Sequence, residues 1–378
     1  MHLTIQKKNF LRSLARTHSV ADRKSSMPIL SNILLSAETP KVLRCAATDL
    51  YLSVTSNSPA DIKTGGTIAL AARTLFEIVK SLPEGELSLQ VGTNHSAEIR
   101  SGKVRFKIPG MPGADFPALP SAGPAEFAPL DADELGRLLA LTHYSMSSDD
   151  TRPHLAGALF EGDGRSVRVV TTDGHRLSKA EYKLAEGKKL LNFSMLVPGK
   201  GIGELRRLVD EAKADRPKGE DVPAVVEVAS GGGSAFFRRD DTVLSVKLVD
   251  EQFPPYNKVI PSAQTRKVGA SRALLIEALR RISLVASDKS GAVRFGIEPG
   301  ILRITSENPD VGEGAEELDV DFAGEGIEIG FNARYVLDVL GAISEDEVRL
   351  ELGGQLDPGV IRPQGPTDFV GVIMPMRI

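Results

Sequence analysis

The sequence predicts an α+β protein in which one helix-and-sheet domain is repeated three times in tandem, and three observations carry that prediction. Each third of the 378 residues opens with an amphipathic helical pattern, alternating strand patterns follow, and a second helix is backed by a strand of similar wording. The opening helices carry Phe10, Leu11 and Leu14; then Leu135, Leu138 and Leu139; then Leu274, Leu275, Leu279 and Ile282. Steps of three, four and seven put one apolar face on each.

The strands come next: Ile33–Leu35 and Leu43–Cys45, then Leu159 and Val167–Val169, then Val293–Ile297 with Leu302–Ile304. The second strand each time runs into a similar corner, "AATDL", "VTTDG" and "ITSEN". Asp49, Asp173 and Glu307 thereby become counterparts, 124 and 134 residues apart, close to the 126 of an equal third. The second helices carry Leu75, Ile78 and Val79; Ile202, Leu205, Leu208 and Val209; and Val336, Val339 and Leu340. Behind them lie "ELSLQV" (86–91), "AVVEVA" (224–229) and "EVRLEL" (347–352), and the thirds close with "VRFKI" (104–108), "VLSVKL" (243–248) and "FVGVIM" (369–374). Proline-rich joints at 116–124 and 253–261 are short, stiff connections, so the expected domains are 1–122, 125–253 and 257–378.

Composition narrows the function. Hydrophobic residues at 41% and charged residues at 25% match a globular protein. No apolar run nears the roughly 18 residues of a membrane span, and the first residues lack the apolar core of a signal peptide, so a cytoplasmic location is expected. Cys45 is the only cysteine, set among apolar residues as a structural thiol, and the six histidines show no metal spacing. No metal or other cofactor is expected.

The charge is unevenly placed. Helical windows at 6–24, 72–80, 131–147, 199–213, 271–287 and 332–343 hold 17 basic and 10 acidic residues, while the remainder holds 29 and 40. Lysine and arginine are good helix formers, which accounts for part of the bias. The other reading is a helical surface that meets phosphate through Lys7, Lys8, Arg12, Lys24, Arg73, Lys80, Lys200, Arg206, Arg207, Arg272, Arg280 and Arg281. Without tryptophan or an RNP motif, such contact is to backbone and independent of base sequence.

Motifs for chemistry are sparse. "PGKGIGEL" (198–205) lacks the glycine spacing of a dinucleotide loop and the G-K-[ST] of a P-loop, and reads as a loop entering a helix. There is no G-x-S-x-G elbow. The alternative to a binding protein is a hydrolase using Asp173 and His175, but an acid recurring at a strand end is more often a turn residue bonding its own backbone. Gly174, His175, Arg176 and Leu177 are what the other corners lack. Val370 to Met374 read as a last strand, with Pro375 to Ile378 protruding from it as an adaptable apolar tail. In "GKVRFKI", Lys103, Arg105 and Lys107 alternate with Val104, Phe106 and Ile108, while residues 307–319 are strongly acidic. Both are either solvated surfaces or the two halves of a head-to-tail contact between copies.

The stretches "TTDGHRLS", "MPILSNILL", "FPPYNKVIP", "ITSENPD" and the terminal "MPMRI" resemble the bacterial DNA polymerase III β subunit family, the sliding clamps, in order along the whole chain. The resemblance implies a homodimeric ring of six similar domains, with helices inside lining a hole for double-stranded DNA and antiparallel sheets outside. It implies a non-catalytic subunit that tethers the replicative DNA polymerase and is opened by an ATP-dependent clamp loader. Polymerases, the loader and repair and translesion polymerases would dock short hydrophobic peptides in a pocket between the second and third domains. Matched motif by motif, that pocket is Leu155, Thr172, Gly174, His175, Arg176, Leu177, Pro254, Val259, Val372, Met374, Pro375 and Met376. The DNA-facing set is Lys24, Arg73, Lys80, Lys200, Arg206, Arg207, Arg272, Arg280 and Arg281. The dimer contact sets Phe106 and Ile108 against Leu284 and Val285, with Lys103 and Arg105 facing Asp310 and Glu313. Departures are Pro153 and His154 where many members place aromatic or polar DNA-contacting residues, Lys258 in place of arginine, and a long loop at 212–223.

Overall fold

A computed structural model describes residues 1–22, 25–39, 41–184, 192–216, 223–287 and 291–377 of the chain. Among them are six α-helices: α1 (Lys7–Thr17), α2 (Ala72–Ser81), α3 (Ala132–Thr142), α4 (Gly199–Ala214), α5 (Arg272–Ile282) and α6 (Ala333–Ala342). The chain forms two compact units, Met1–Ala132 with Arg207–Leu248 and Asp133–Arg206 with Val249–Ile378.

The first unit holds a sheet of thirteen antiparallel strands with α1 packed on α2. Period-two patterning builds it, as in Glu86–Val91, where Leu87 and Leu89 are buried and Glu86 and Gln90 face water. Strand Leu52–Pro59 pairs with Thr242–Lys247, so the first and middle thirds of the sequence share one sheet. Phe10 and Leu14 of α1 and Leu75 and Val79 of α2 are fully buried. α1 stops at Thr17, well short of residue 24, where Thr17, Ser19 and Val20 are weak helix formers. Lys7 is buried rather than on the expected basic surface: its ammonium donates to the Leu82 carbonyl (2.5 Å) and pairs with Glu84 (2.9 Å), satisfying the C-terminal end of α2. The end of α4 and the start of the 212–223 stretch are anchored by arginines: Arg16 donates to Glu211 of α4 (2.7 Å) and Arg239 to Asp215 just past it (2.8 Å). Residues 217–222 of that stretch lie outside the described residues.

The second unit contains an eight-stranded and a four-stranded sheet, both antiparallel. Leu275, Ala278, Leu279 and Ile282 of α5 and Val336, Val339 and Leu340 of α6 are buried. Leu274, expected on the apolar face, is 52% exposed, and Ala278, absent from the expected face, is buried. The windows 131–147 and 271–287 each end in a 3-10 turn, at His143–Ser145 and Ser283–Val285. No loop precedes α4: strand Asn192–Pro198 runs straight into it, and the Gly199 amide donates to the Ala156 carbonyl (2.9 Å).

Two of the three corners are built alike. The Asp49 carboxylate accepts from the amides of Tyr51 (3.0 Å) and Leu52 (2.7 Å), and the Asp173 carboxylate from those of His175 (2.9 Å) and Arg176 (3.0 Å). Glu307 departs from this pattern. It lies inside strand Ile301–Asn308, opposite Glu313, and Asn308 takes the turn role by accepting from the Asp310 amide (3.0 Å). The tail differs from expectation too: it folds back, with the Met376 amide donating to Gly330 (2.8 Å), because its free backbone finds an open strand edge.

Candidate functional site

In the second unit, strand Arg176–Lys183 pairs with the last strand, Phe369–Ile373, and the register sets Leu177 opposite Val372. Both side chains are buried, in a cluster with Leu159, Val170, Leu196, Phe253, Tyr256, Val360 and Val370. The Met374 amide extends the ladder by donating to the His175 carbonyl (2.9 Å). The joint 253–261 crosses this apolar pair and is pinned by the Tyr256 hydroxyl, which donates to Glu161 (2.7 Å). Between joint and strands lies a cavity of about 170 Å³, room for one large apolar side chain or about half a dozen waters.

Nine of the twelve expected pocket residues line it: Leu155, Thr172, Gly174, Arg176, Leu177, Pro254, Val259, Val372 and Met374. His154 and Tyr256 complete the lining. Tyr256 was legible as the one aromatic between Pro254 and Val259, whereas His154 carried no apolar signal. His154 is bonded to Glu251 (2.9 Å) at the rim. His175, Pro375 and Met376 do not line the cavity. The His175 ring stacks on Tyr335 with centroids 6.4 Å apart, and the tail leaves along Gly330.

The turn between the walls is tightly bonded. Gly174 has φ +91°, a left-handed conformation that glycine adopts without strain. The first unit builds the same turn with Leu50 at φ +76°, but there Ser53, Ser245 and Lys247 stand where the second has Leu177, Val372 and Met374. The backbone repeats while the apolar walls do not.

Arg176 is buried, and each of its three guanidinium nitrogens donates a hydrogen bond. Its guanidinium donates to Asp173 (3.1 Å), Asp338 (2.5 Å) and the Tyr144 carbonyl (2.6 Å), and lies 4.5 Å from the Tyr335 ring centroid and 5.5 Å from that of Tyr144. Burial raises the Tyr144 phenol, whose oxygen accepts from the Ser178 hydroxyl (2.8 Å). Asp173 therefore spends its carboxylate on two amides and a guanidinium, and His175 lies against Tyr335. The pair lacks the arrangement of a base and its orienting acid.

His143, in the 3-10 turn after α3, has its pKa lowered, first by burial and then by the charge of Arg206. A depressed histidine pKa means the unfolded chain takes up the proton first, so its contribution to stability is present above about pH 6.5 and is lost as pH falls through the lower folded value. His143→Asn is expected to flatten the decline of melting temperature between pH 7 and 5. An unchanged slope in the variant would refute this.

Of the DNA-facing set, Arg73, Lys80, Lys200, Arg206, Arg207 and Arg280 are exposed on their helices, and Lys24 lies outside the described residues. Arg272 is half-buried, and Arg281, exposed as well, is paired with a carboxylate. Arg272 donates to the Glu345 carbonyl (2.7 Å), and Arg281 grips Glu316 through two bonds (2.9 and 2.6 Å) that lower the Glu316 pKa.

The expected contact residues between copies lie on or beside two strand edges and, for Leu284 and Val285, on the 3-10 turn after α5. Residues 104–109 pair on one side only, with Ser96–Ser101, and Gly312–Asp319 is the edge of the four-stranded sheet. Lys103 is exposed and Phe106 half-buried, but Ile108 is buried in its own core. Arg105 pairs within the chain with Glu98, whose pKa that bond and Arg100 lower. Opposite in character, Leu284 is 79% exposed, Val285 packs over Gly314, and Asp310 and Glu313 face solvent.

Three family models match the chain in order: the N-terminal domain of the DNA polymerase III beta subunit over residues 1–120, its central domain over 129–255 and its C-terminal domain over 257–377. The chain is 35% identical over 384 residues to the beta sliding clamp of Caulobacter vibrioides strain NA1000, covering all of both. Among solved structures it is similar to the DNA polymerase III subunit beta from Pseudomonas aeruginosa, with TM-score 0.92, 32% identity and full coverage of both chains. A sliding clamp from the same organism bound to griselimycin matches at TM-score 0.91 and 32% identity, again over all of both.

Proposed function

The chain belongs to the DNA polymerase III beta subunit family, the bacterial sliding clamps, and on that footing we propose which of its surfaces perform the clamp's work. It is a non-catalytic polymerase subunit: two copies close into a ring around double-stranded DNA and hold the replicative polymerase there. A closed ring explains how modest backbone contacts suffice. Arg73, Lys80, Lys200, Arg206, Arg207 and Arg280 screen phosphate while the ring slides, and topology, not affinity, prevents loss. Three domains, 1–122, 125–253 and 257–378, tile each copy. Among the described residues no helix is long and apolar enough to cross a membrane, and we place the protein in the cytoplasm.

The cavity walled by Leu177 and Val372 is the observation that carries the partner-binding reading. It takes the apolar side chain of a short peptide from the replicative polymerase, the ATP-dependent loader or the repair and translesion polymerases, while strand ends and turn fix the peptide's direction. The edge strand at 104–109 of one copy closes the ring against the 3-10 turn and acidic strand of the other, Phe106 against Leu284 and Val285, with Lys103 near Asp310 and Glu313. Loaded on nicked circular DNA, the protein is expected to stay bound through a high-salt wash and to be lost when the circle is cut. Equal release from circular and linear DNA would sink the clamp reading.

A further inference from the structure

We propose that Asp338 of α6 is a positioning residue of the peptide cavity, holding the Arg176 guanidinium so that the 172–177 turn keeps the shape that receives the ligand. The inference rests on reading the cavity as the peptide site. Asp338 does not line that cavity; Arg176 does. Of the three groups that receive Arg176 donors, Asp173 and the Tyr144 carbonyl come from the middle third of the sequence, and Asp338 alone comes from α6, 162 residues away. Tyr335, one turn earlier on α6, covers the guanidinium face and carries the His175 ring. The same residues shape the turn: the Asp173 carboxylate accepts the Arg176 amide, and the Thr172 hydroxyl donates to the Arg176 carbonyl (2.6 Å). With each of its three guanidinium nitrogens already donating and the group buried, Arg176 acts as a strut of the turn. Removing Asp338 leaves a buried guanidinium short of one partner, and such a group re-aims to find another.

The test is calorimetric titration of the full chain with griselimycin, using Asp338→Asn, Asp338→Glu, Arg176→Met, the Arg176→Met/Asp338→Asn double variant and Met374→Glu, with a melting curve for each. Asp338→Asn is expected to weaken binding about tenfold, the scale of one charge-assisted bond. Asp338→Glu, which keeps the carboxylate on a partly exposed helix position, is expected to restore most of it. In the Arg176→Met background the Asp338→Asn change should cost less than about twofold, because the strut is already gone. A general loss of fold would lower all melting curves and show neither the rescue nor the coupling. Parent-like binding by Asp338→Asn, failure of the glutamate to rescue, or an undiminished penalty in the double variant overturns the proposal. If Met374→Glu binds griselimycin as the parent does, or the parent binds none, the cavity reading itself falls and the proposal with it; loss of binding by Met374→Glu beside an unaffected Asp338→Asn overturns the positioning role alone.

Discussion

Removal of residues 374–378 is expected to abolish capture of polymerase peptides, weakening binding about a hundredfold or more, while the dimer survives. Met374 supplies part of the cavity lining, and its amide closes the ladder onto the His175 carbonyl at 2.9 Å. Without it the Leu177 and Val372 pair lies open to water, and the ligand loses both an apolar wall and the turn's outer support. The dimer contacts are on other strands, so sedimentation should still report two copies. Because truncation also frees the edge at Gly330, the point variant Met374→Glu should be measured beside it. Normal peptide affinity in both would mean that the site lies elsewhere.

Phe106→Ala combined with Leu284→Ala is expected to convert the ring to monomers, with dimerisation weakened at least about a thousandfold, as when two facing apolar anchors are truncated. Leu284 is 79% exposed in the single chain, which leaves most of its side chain available for a partner copy to cover. The charges near it contribute less. Arg105 is already neutralised by Glu98, and Glu316 by Arg281, so an interchain ion pair must compete with one that exists. Raising salt should therefore shift the dimer far less than the double substitution. Sedimentation velocity that still shows a dimer for the double variant would relocate the interface.

The lowered His143 pKa sets a milder expectation. It contributes to loss of stability on acidification, and His143→Asn isolates that share because burial and Arg206 both act on this one ring.

Much of the fold was legible because it is written in local periodicity. Glu86–Val91 and Glu347–Leu352 begin and end where the alternating residues do; four of the six helices fall inside the windows marked by their apolar steps, and α2 and α4 run one residue past theirs. The errors sit at ends. α1 stops at Thr17, two helices yield to 3-10 turns, and the glycines after Pro198 enter α4 directly. Propensity changes gradually there, and neighbours decide where the last bond forms. The candidate site was legible only through the family motifs at 172–177 and 372–374; alternation fixes which face each residue takes, while the register that sets Leu177 opposite Val372 is a long-range pairing that alternation does not specify.

The sequence by itself determined the threefold repeat, the apolar faces and the aspartate turns at Asp49 and Asp173, since an Asx turn needs only a carboxylate and amides two and three residues on. Tertiary structure alone decided which partners the basic residues take. Lys7 was drawn to the end of α2, Arg272 to the Glu345 carbonyl and Arg281 to Glu316. It alone turned His175 onto Tyr335, laid the tail along Gly330 and brought Asp338 to Arg176 across 162 residues. The reason is common to all of these: a long polar side chain or a free backbone edge takes whatever partner the fold brings within about 3 Å, and nothing in the spacing of the residues specifies that partner.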